Sequence, residues 1–413
     1  MVEQFAAARR SSGGVVPLAV RGLPWHLLPV LVAAFLAVLH AAALLSVESQ
    51  APWFAPDFGV FWTAADLAPE HPELLYDPEA VTRAQSWLAP GDDKPRPWAY
   101  PPTTLLLVLP LAWLPFWTSY AVWVAAGLAS VLLVTWRWVR PAPGGAGLLL
   151  LVGTPPVLLA AVSGQTTLAL APLVLAGLAQ LPRRPVLAGA LLGVALVVKP
   201  QLLVLTPVAL LAGRHLRALA AALAAALVLV LASVAALGWQ PWEDWLRALP
   251  RFLVIVEEMG LQRRGLTLHA WAEERGLAGP AAVALRAASA VLGLGLVVRV
   301  FRRRTDLLGR GVALVAGGLL CSSYAMPYEA ALLAPAAVAV LAAAAGVVSP
   351  VQRVTAIGVS LHLLGPLGPL AFALSVCLGR PPGPVTRPGD ASRDGAAAVP
   401  GPGMLGTWTP TRS

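Results

Sequence analysis

Charge is what this chain has least of. Charged side chains make up 12% of its 413 residues, while 58% are hydrophobic. A soluble domain carries about 25% charged residues. So few charges cannot hold this much apolar surface in water, which excludes an ordinary soluble fold. A bilayer removes the difficulty, because lipid solvates the outside of each helix. Lysine is nearly missing: Lys94 and Lys199 stand alone among basic residues that are otherwise arginine. Cysteine is limited to Cys321 and Cys377, in or beside apolar runs and without a CxxC. That argues against a disulfide framework and excludes a cysteine-ligated zinc site. There is no phosphate-binding glycine loop, no GxSxG and no HExxH, and the histidines at 26, 40, 71, 215, 269 and 362 lack ligand spacing. No metal or organic cofactor is expected.

The net charge of +9 sits in clusters such as Arg183-Arg184 and Arg302-Arg303-Arg304, between apolar runs. Cytoplasmic arginines that orient a membrane protein look like this. Nucleic-acid binding would need a basic face on a folded domain, and none is visible, so the bilayer is the expected partner.

What is there in quantity is apolar sequence, enough for about nine to twelve spans of roughly 20 residues each. The expected fold is all-α, a polytopic transmembrane helical bundle. Residues 1–24, with Arg9, Arg10 and Arg21, read as a cytoplasmic segment. The run at 27–47 is too long for a signal core and reads as a retained first span. The membrane domain is placed at 25–378, and the Pro-, Gly- and Arg-rich stretch 379–413 as a tail that cannot order itself. Within the domain, 48–98 is an acidic loop with two short interfacial helices at 58–67 and 78–88. Trp53, Trp62, Trp87 and Trp98 suit the headgroup region. A second extramembrane region covers 239–280. The run at 103–138, broken by Pro110 and Pro115, is either a hairpin or a short helix followed by one span. The run at 186–212 divides at Lys199-Pro200-Gln201.

The positive-inside rule then places Arg137, Arg140, Arg183, Arg184, Arg214, Arg217, the arginines of 299–310 and Arg353 in the cytoplasm. The same path puts Thr154-Pro155-Pro156, Ser163-Gly164-Gln165, Lys199-Pro200-Gln201 and 322–329 outside, on the face of the acidic loop.

Two residues stand out chemically. Asp57 lies where the chain leaves the membrane, in Pro56-Asp57-Phe58-Gly59-Val60-Phe61-Trp62. A carboxylate there suits a general base toward a sugar hydroxyl; it equally suits the cap of a helix starting at Phe58. Lys199 is a charge inside an apolar run, and such groups are expensive. It reads as a point charge for a phosphate at the membrane face, or as a snorkelling anchor whose loss the fold would tolerate. Tyr100-Pro101-Pro102 starts a helix. Gln165 is a ligand contact or interhelical glue. Tyr324, Tyr328 and Glu329 close a span. Asp92-Asp93 is a solvated pair or a weak cation site.

In order, Asp57-Phe58 with Phe61-Trp62, Leu75-Tyr76-Asp77, Tyr100-Pro101-Pro102, Gly164-Gln165, Leu187-Ala188-Gly189 with Leu192-Gly193, Lys199-Pro200-Gln201 and Tyr324 with Tyr328-Glu329 resemble glycosyltransferase family 87. The resemblance runs from about 55 to 345. It implies a GT-C-like enzyme of the bacterial plasma membrane that takes a hexose, mannose in the mycobacterial members, from a polyprenyl-phosphate sugar. The acceptor is a lipid or glycan on the extracytoplasmic face. Asp57 matches the catalytic carboxylate of the first outer loop. Lys199, Gln201, Gln165 and Tyr100 fall at donor-phosphate positions, and Trp62, Tyr76, Asp77, Tyr324 and Glu329 at substrate positions. Thr166 stands where the family often has Asn, and Tyr328-Glu329-Ala330 where it often has Tyr-Asp-Leu. Two other readings stay open: a secondary transporter, and a non-catalytic partner in envelope assembly.

Overall fold

The computed structural model describes residues 56–88, 94–139, 146–260, 265–343, 347–363 and 365–379. The expected first span, Asp92-Asp93 and the tail from 380 fall outside them. Every regular element among the described residues is helical, so the chain is an all-α polytopic protein.

Among the described residues three helices are long and apolar enough to cross a membrane: Phe116–Trp136, Leu216–Leu237 and Pro280–Arg303. They belong to α4 (Phe116–Val139), α11 (Leu216–Leu237) and α14 (Pro280–Arg303). Their faces carry exposed Leu133, Leu227, Val228, Leu231 and Val291, which only lipid would cover without cost. Seven other apolar stretches form helices of 10–17 residues, shorter than the roughly 20-residue spans expected from sequence. One of them is short because it is buried. In α15 (Leu307–Cys321) every side chain from Gly309 to Leu320 is buried by neighbouring helices. Irregular or short backbone is tolerated at membrane depth when protein surrounds it.

Proline sets the breaks. The stretch 103–138 is a short helix, α3 (Pro102–Val108), a 3-10 turn at Leu109–Trp113, and then α4; it is the second of the two arrangements its prolines allow. The stretch 186–212 divides into α8 (Pro185–Val198), α9 (Pro200–Leu203) and α10 (Thr206–Ala212). Pro200 brings no backbone N–H, so α8 ends at Lys199.

The glycines of Leu187-Ala188-Gly189 and Leu192-Gly193 have a packing task. A Cβ on Gly189 would lie 2.0 Å from the Ala218 carbonyl oxygen, and one on Gly193 2.3 Å from that of Ala222. With Gly at both, α8 and α11 meet backbone to backbone, the small-xxx-small contact of membrane helices.

The acidic loop builds a second core on this body. Its helices α1 (Pro56–Leu67) and α2 (Pro78–Ala84) gather Phe58, Phe61, Leu75 and Trp98 against Leu105 and Phe116. Phe61 meets Trp98 and Tyr100 edge-on, with centroids 6.0 and 5.1 Å away. The second loop region contains α12 (Gln240–Glu258) and α13 (Leu268–Glu273). Trp245 of α12 donates to the Ala99 carbonyl at 3.2 Å, and Arg251 pairs with Glu79, strapping α12 across the first loop.

Candidate functional site

A cavity of about 1500 Å³ opens among the described residues. It exceeds the roughly 300–1,000 Å³ usual for small-molecule sites. Its wall is assembled from the breaks in the helices. α6 (Pro155–Ser163) contributes Pro155, Pro156 and Ser163; Gln165 follows it. Lys199, Pro200 and Gln201 come from the α8–α9 break, and Ser323, Tyr324 and the residues from Met326 to Glu329 from the turn after α15. The four polar or Pro-broken spots that charge counting put on one face therefore share one cavity.

Asp57 lines it too. It lies inside the first turn of α1 and does not precede the helix. Its placement depends on Gly164, whose φ of 71° suits glycine. A Cβ at Gly164 would come 2.5 Å from the Cβ of Phe58. The helix bearing Asp57 thus rests directly on the Gly164-Gln165 turn, and Trp123 donates to the Gly164 carbonyl at 2.8 Å.

Lys199 has a built environment. Its side chain is about 3% exposed, and its Nζ lies 2.7 Å from Glu329 Oε1, also about 3% exposed. Nζ also donates to Gln165 Oε1 at 3.3 Å, and the Tyr100 hydroxyl donates to that same oxygen at 3.1 Å. The rings of Tyr100 and Tyr328 flank the ammonium at 5.6 and 5.4 Å. Lys199 is therefore no snorkelling anchor. It is also not the lone cation the sequence suggested, since Glu329 balances its charge.

The α8 break leaves carbonyls to satisfy. The Thr103 hydroxyl donates to the Val197 carbonyl at 2.8 Å, and Thr104 to that of Val198 at 3.1 Å. Tyr100-Pro101-Pro102 thus starts α3 with two threonines facing the broken end of α8. Sequence reasoning passed over both; paired hydroxyls directly after a Pro-Pro, at the head of an apolar run, were the signal.

Of the other proposed site residues, Tyr324 and Gln201 line the cavity; Trp62, Tyr76 and Asp77 do not. Trp62 donates to the Leu114 carbonyl at 3.1 Å and packs on Trp87 and Phe116. Tyr76 donates to the Tyr100 carbonyl at 3.0 Å while Trp98 donates to its hydroxyl; burial holds that phenol well above its usual pKa. Asp77 caps α2, accepting from the N–H groups of Ala80 and Glu79, which hold its carboxyl below the usual range. These three shape the loop that carries Tyr100.

Two further parts of the wall were missed. Trp245, Leu249, Phe252 and Val256 of α12 all line the cavity, at the i, i+4, i+7, i+11 spacing of one helix face. Phe252 meets Tyr324 edge-on at 6.0 Å. His362 also reaches the wall, at φ 54°, a region histidine enters more readily than most residues. Among the described residues no group of three or more His, Cys, Asp or Glu could hold a metal ion.

A lipid-facing helical body around a large cavity, with a carboxylate and a buried ion pair on its wall, is the build of an integral membrane protein. The sequence model of glycosyltransferase family 87 matches residues 98–323, more than half of the chain. The chain belongs to glycosyltransferase family 87 and is a membrane glycosyltransferase. No curated protein and no solved structure matches it. The matched residues include Tyr100, Gln165, Lys199 and Gln201; Asp57, Tyr324 and Glu329 lie beyond them, on the same cavity.

Proposed function

We propose that this chain transfers a hexose from a polyprenyl-phosphate sugar to a lipid or glycan acceptor, at the extracytoplasmic face of a bacterial plasma membrane, in the manner of GT-C enzymes. The observation that carries this is the cavity itself. It joins the carboxylate of Asp57 to the polar breaks at Gln165, Lys199 and Glu329, and it is walled by the apolar face of α12. A donor with a sugar head, a phosphate and a prenyl tail needs those surfaces side by side. Mannose is the hexose suggested by the family resemblance.

In the proposed reaction the acceptor oxygen attacks the anomeric carbon from the face opposite the phosphate. The new C–O bond forms as the bond to the phosphate oxygen breaks, and the polyprenyl phosphate leaves with that electron pair. Asp57 takes the acceptor hydroxyl's proton. The result is inversion at the anomeric carbon. Charge gathers on the leaving phosphate, so cations aimed at it accelerate the step. Lys94, Arg96 and Arg275 line the same cavity as Lys199; Arg275 is paired with Glu274, as Lys199 is with Glu329.

The test is transfer by the purified full chain in proteoliposomes, given polyprenyl-phosphate hexoses or nucleotide hexoses, with alkyl glycosides as acceptors. The proposal expects sugar transfer from the lipid donor and release of one polyprenyl phosphate for each sugar moved. Transfer from nucleotide sugars alone would overturn it.

A further inference from the structure

We propose that Lys199, Glu329 and Gln165 form a neutral hydroxyl-reading subsite that grips the pyranose ring of a substrate and selects its stereochemistry. This rests on the transferase reading above but assigns the cluster to the sugar, not to the phosphate.

The argument is a count of hydrogen-bonding capacity. A lysine ammonium has three donors. One goes to Glu329 Oε1 and one to Gln165 Oε1; the structure gives the third no acceptor among the described residues. Glu329 Oε2 is buried with no hydrogen-bond partner. Gln165 Oε1 accepts both the Lys199 and the Tyr100 protons, so its carboxamide is oriented with the NH₂ group pointing away from both, and that NH₂ has no acceptor among the described residues. A spare ammonium N–H and a buried, unpartnered carboxylate oxygen thus stand together at the cavity wall, with the amide NH₂ of Gln165 beside them. Native structures satisfy nearly all buried polar atoms, and leaving one unsatisfied is costly. A ligand is the natural complement.

The charge identifies that ligand. Lysine and glutamate cancel, so the cluster presents donors and an acceptor without net positive charge. The phosphodiester of a lipid-phosphate sugar placed there would meet the glutamate oxygen with no proton to give it. Sugar hydroxyls fit: each donates one hydrogen bond and accepts others. Hydroxyls on adjacent ring carbons can give a proton to Glu329 Oε2 and accept from Lys199 Nζ or the Gln165 amide. The cluster is held rigidly by the flanking tyrosine rings and the threonine-capped end of α8. Inverting one hydroxyl would leave a buried group unpaired, and sites built to bond a hydroxyl reject ligands that lack it.

The test uses the full chain in detergent, with thermal stabilisation by methyl pyranosides epimeric at C2, C3 and C4, and by inorganic phosphate, as a readout that needs no turnover. Transfer kinetics with epimeric lipid-phosphate sugars run alongside. The variants are the charge-neutral double change Lys199→Met with Glu329→Gln, and Gln165→Met, which leaves the ion pair in place should the double variant fail to fold. Wild type is expected to prefer one epimer by about tenfold or more; either variant should lose most of that preference. A rise in KM for the donor assigns the ring to the donor, and a rise for the acceptor assigns it to the acceptor. Stabilisation by phosphate that both variants lose, no epimer preference in wild type, or an undiminished preference in a folded variant would each overturn the subsite. If wild type uses the lipid donor while a folded variant keeps its sugar preference, the subsite falls and the transferase reading stands. If epimer preference is present and lost as expected but no lipid-phosphate sugar is used, the subsite stands and the donor assignment falls.

Discussion

Lys199→Met distinguishes a paired from a tolerated lysine. An unpaired ammonium near hydrocarbon costs about 2.5–3.5 kcal/mol on insertion scales, so removing one would stabilise the fold or leave it unchanged. The structure reverses that expectation. Lys199 and Glu329 are 2.7 Å apart and each about 3% exposed, so Lys199→Met leaves a buried carboxylate without its counter-charge. Removing one partner of a buried pair costs about 3–5 kcal/mol. Glu329→Gln should cost a similar amount for the converse reason. The double variant strands neither charge and should lie within about 1–2 kcal/mol of wild type, because neutral replacements of buried pairs are often tolerated. The cycle should therefore show a coupling of several kcal/mol. Unfolding in mixed micelles, followed by tryptophan fluorescence, measures it. Single variants as stable as wild type, or a double variant whose loss equals the sum of the singles, would refute the pairing.

Three other outcomes follow from local geometry. Asp77→Ala should destabilise the start of α2 by about 1 kcal/mol, with Asp77→Asn nearly silent. Because its folded pKa is depressed, the ionised cap's contribution is present above the unfolded value of about 3.9 and is lost as pH falls through the folded one; hydrogen exchange at residues 79–84 reads both. Gly318→Ala should cost about 1–3 kcal/mol and reduce transfer, since its Cβ would meet the Leu202 carbonyl oxygen at 1.7 Å and displace α9 beside Lys199; thermal midpoints and initial rates check this. Replacing Thr103 and Thr104 together by Val should cost about 1–3 kcal/mol per stranded carbonyl, seen as faster exchange and a lower midpoint.

Much of the architecture was legible because proline and charge act locally. Pro110 and Pro115 marked the short helix before α4. Lys199-Pro200 marked the α8–α9 break, and arginine placement grouped the polar breaks that the cavity brings together. What stayed hidden depends on distant partners. Glu329 read as the end of a span because nothing near it in sequence indicates that Lys199 faces it. The helix lengths misled for the same reason: a hydropathy count cannot distinguish a lipid-facing span from a short helix buried by its neighbours, such as α15. The α12 face was present in the sequence as an i, i+4, i+7 pattern. Only the fold turns Trp245 toward the first loop. Trp62, Tyr76 and Asp77 keep company with Asp57 in sequence, yet packing turns them into supports of the loop.

The central claim, that Asp57 is the base for sugar transfer in this cavity, is tested most directly by single-turnover transfer from a polyprenyl-phosphate hexose with wild type and Asp57→Asn. Asparagine keeps the size and shape of the side chain, so folding and membrane insertion should be unchanged, while an amide cannot take the proton. The account predicts a loss of roughly 10²- to 10⁴-fold in the chemical step with the thermal midpoint preserved. A folded Asp57→Asn enzyme that transfers sugar at the wild-type rate would contradict it.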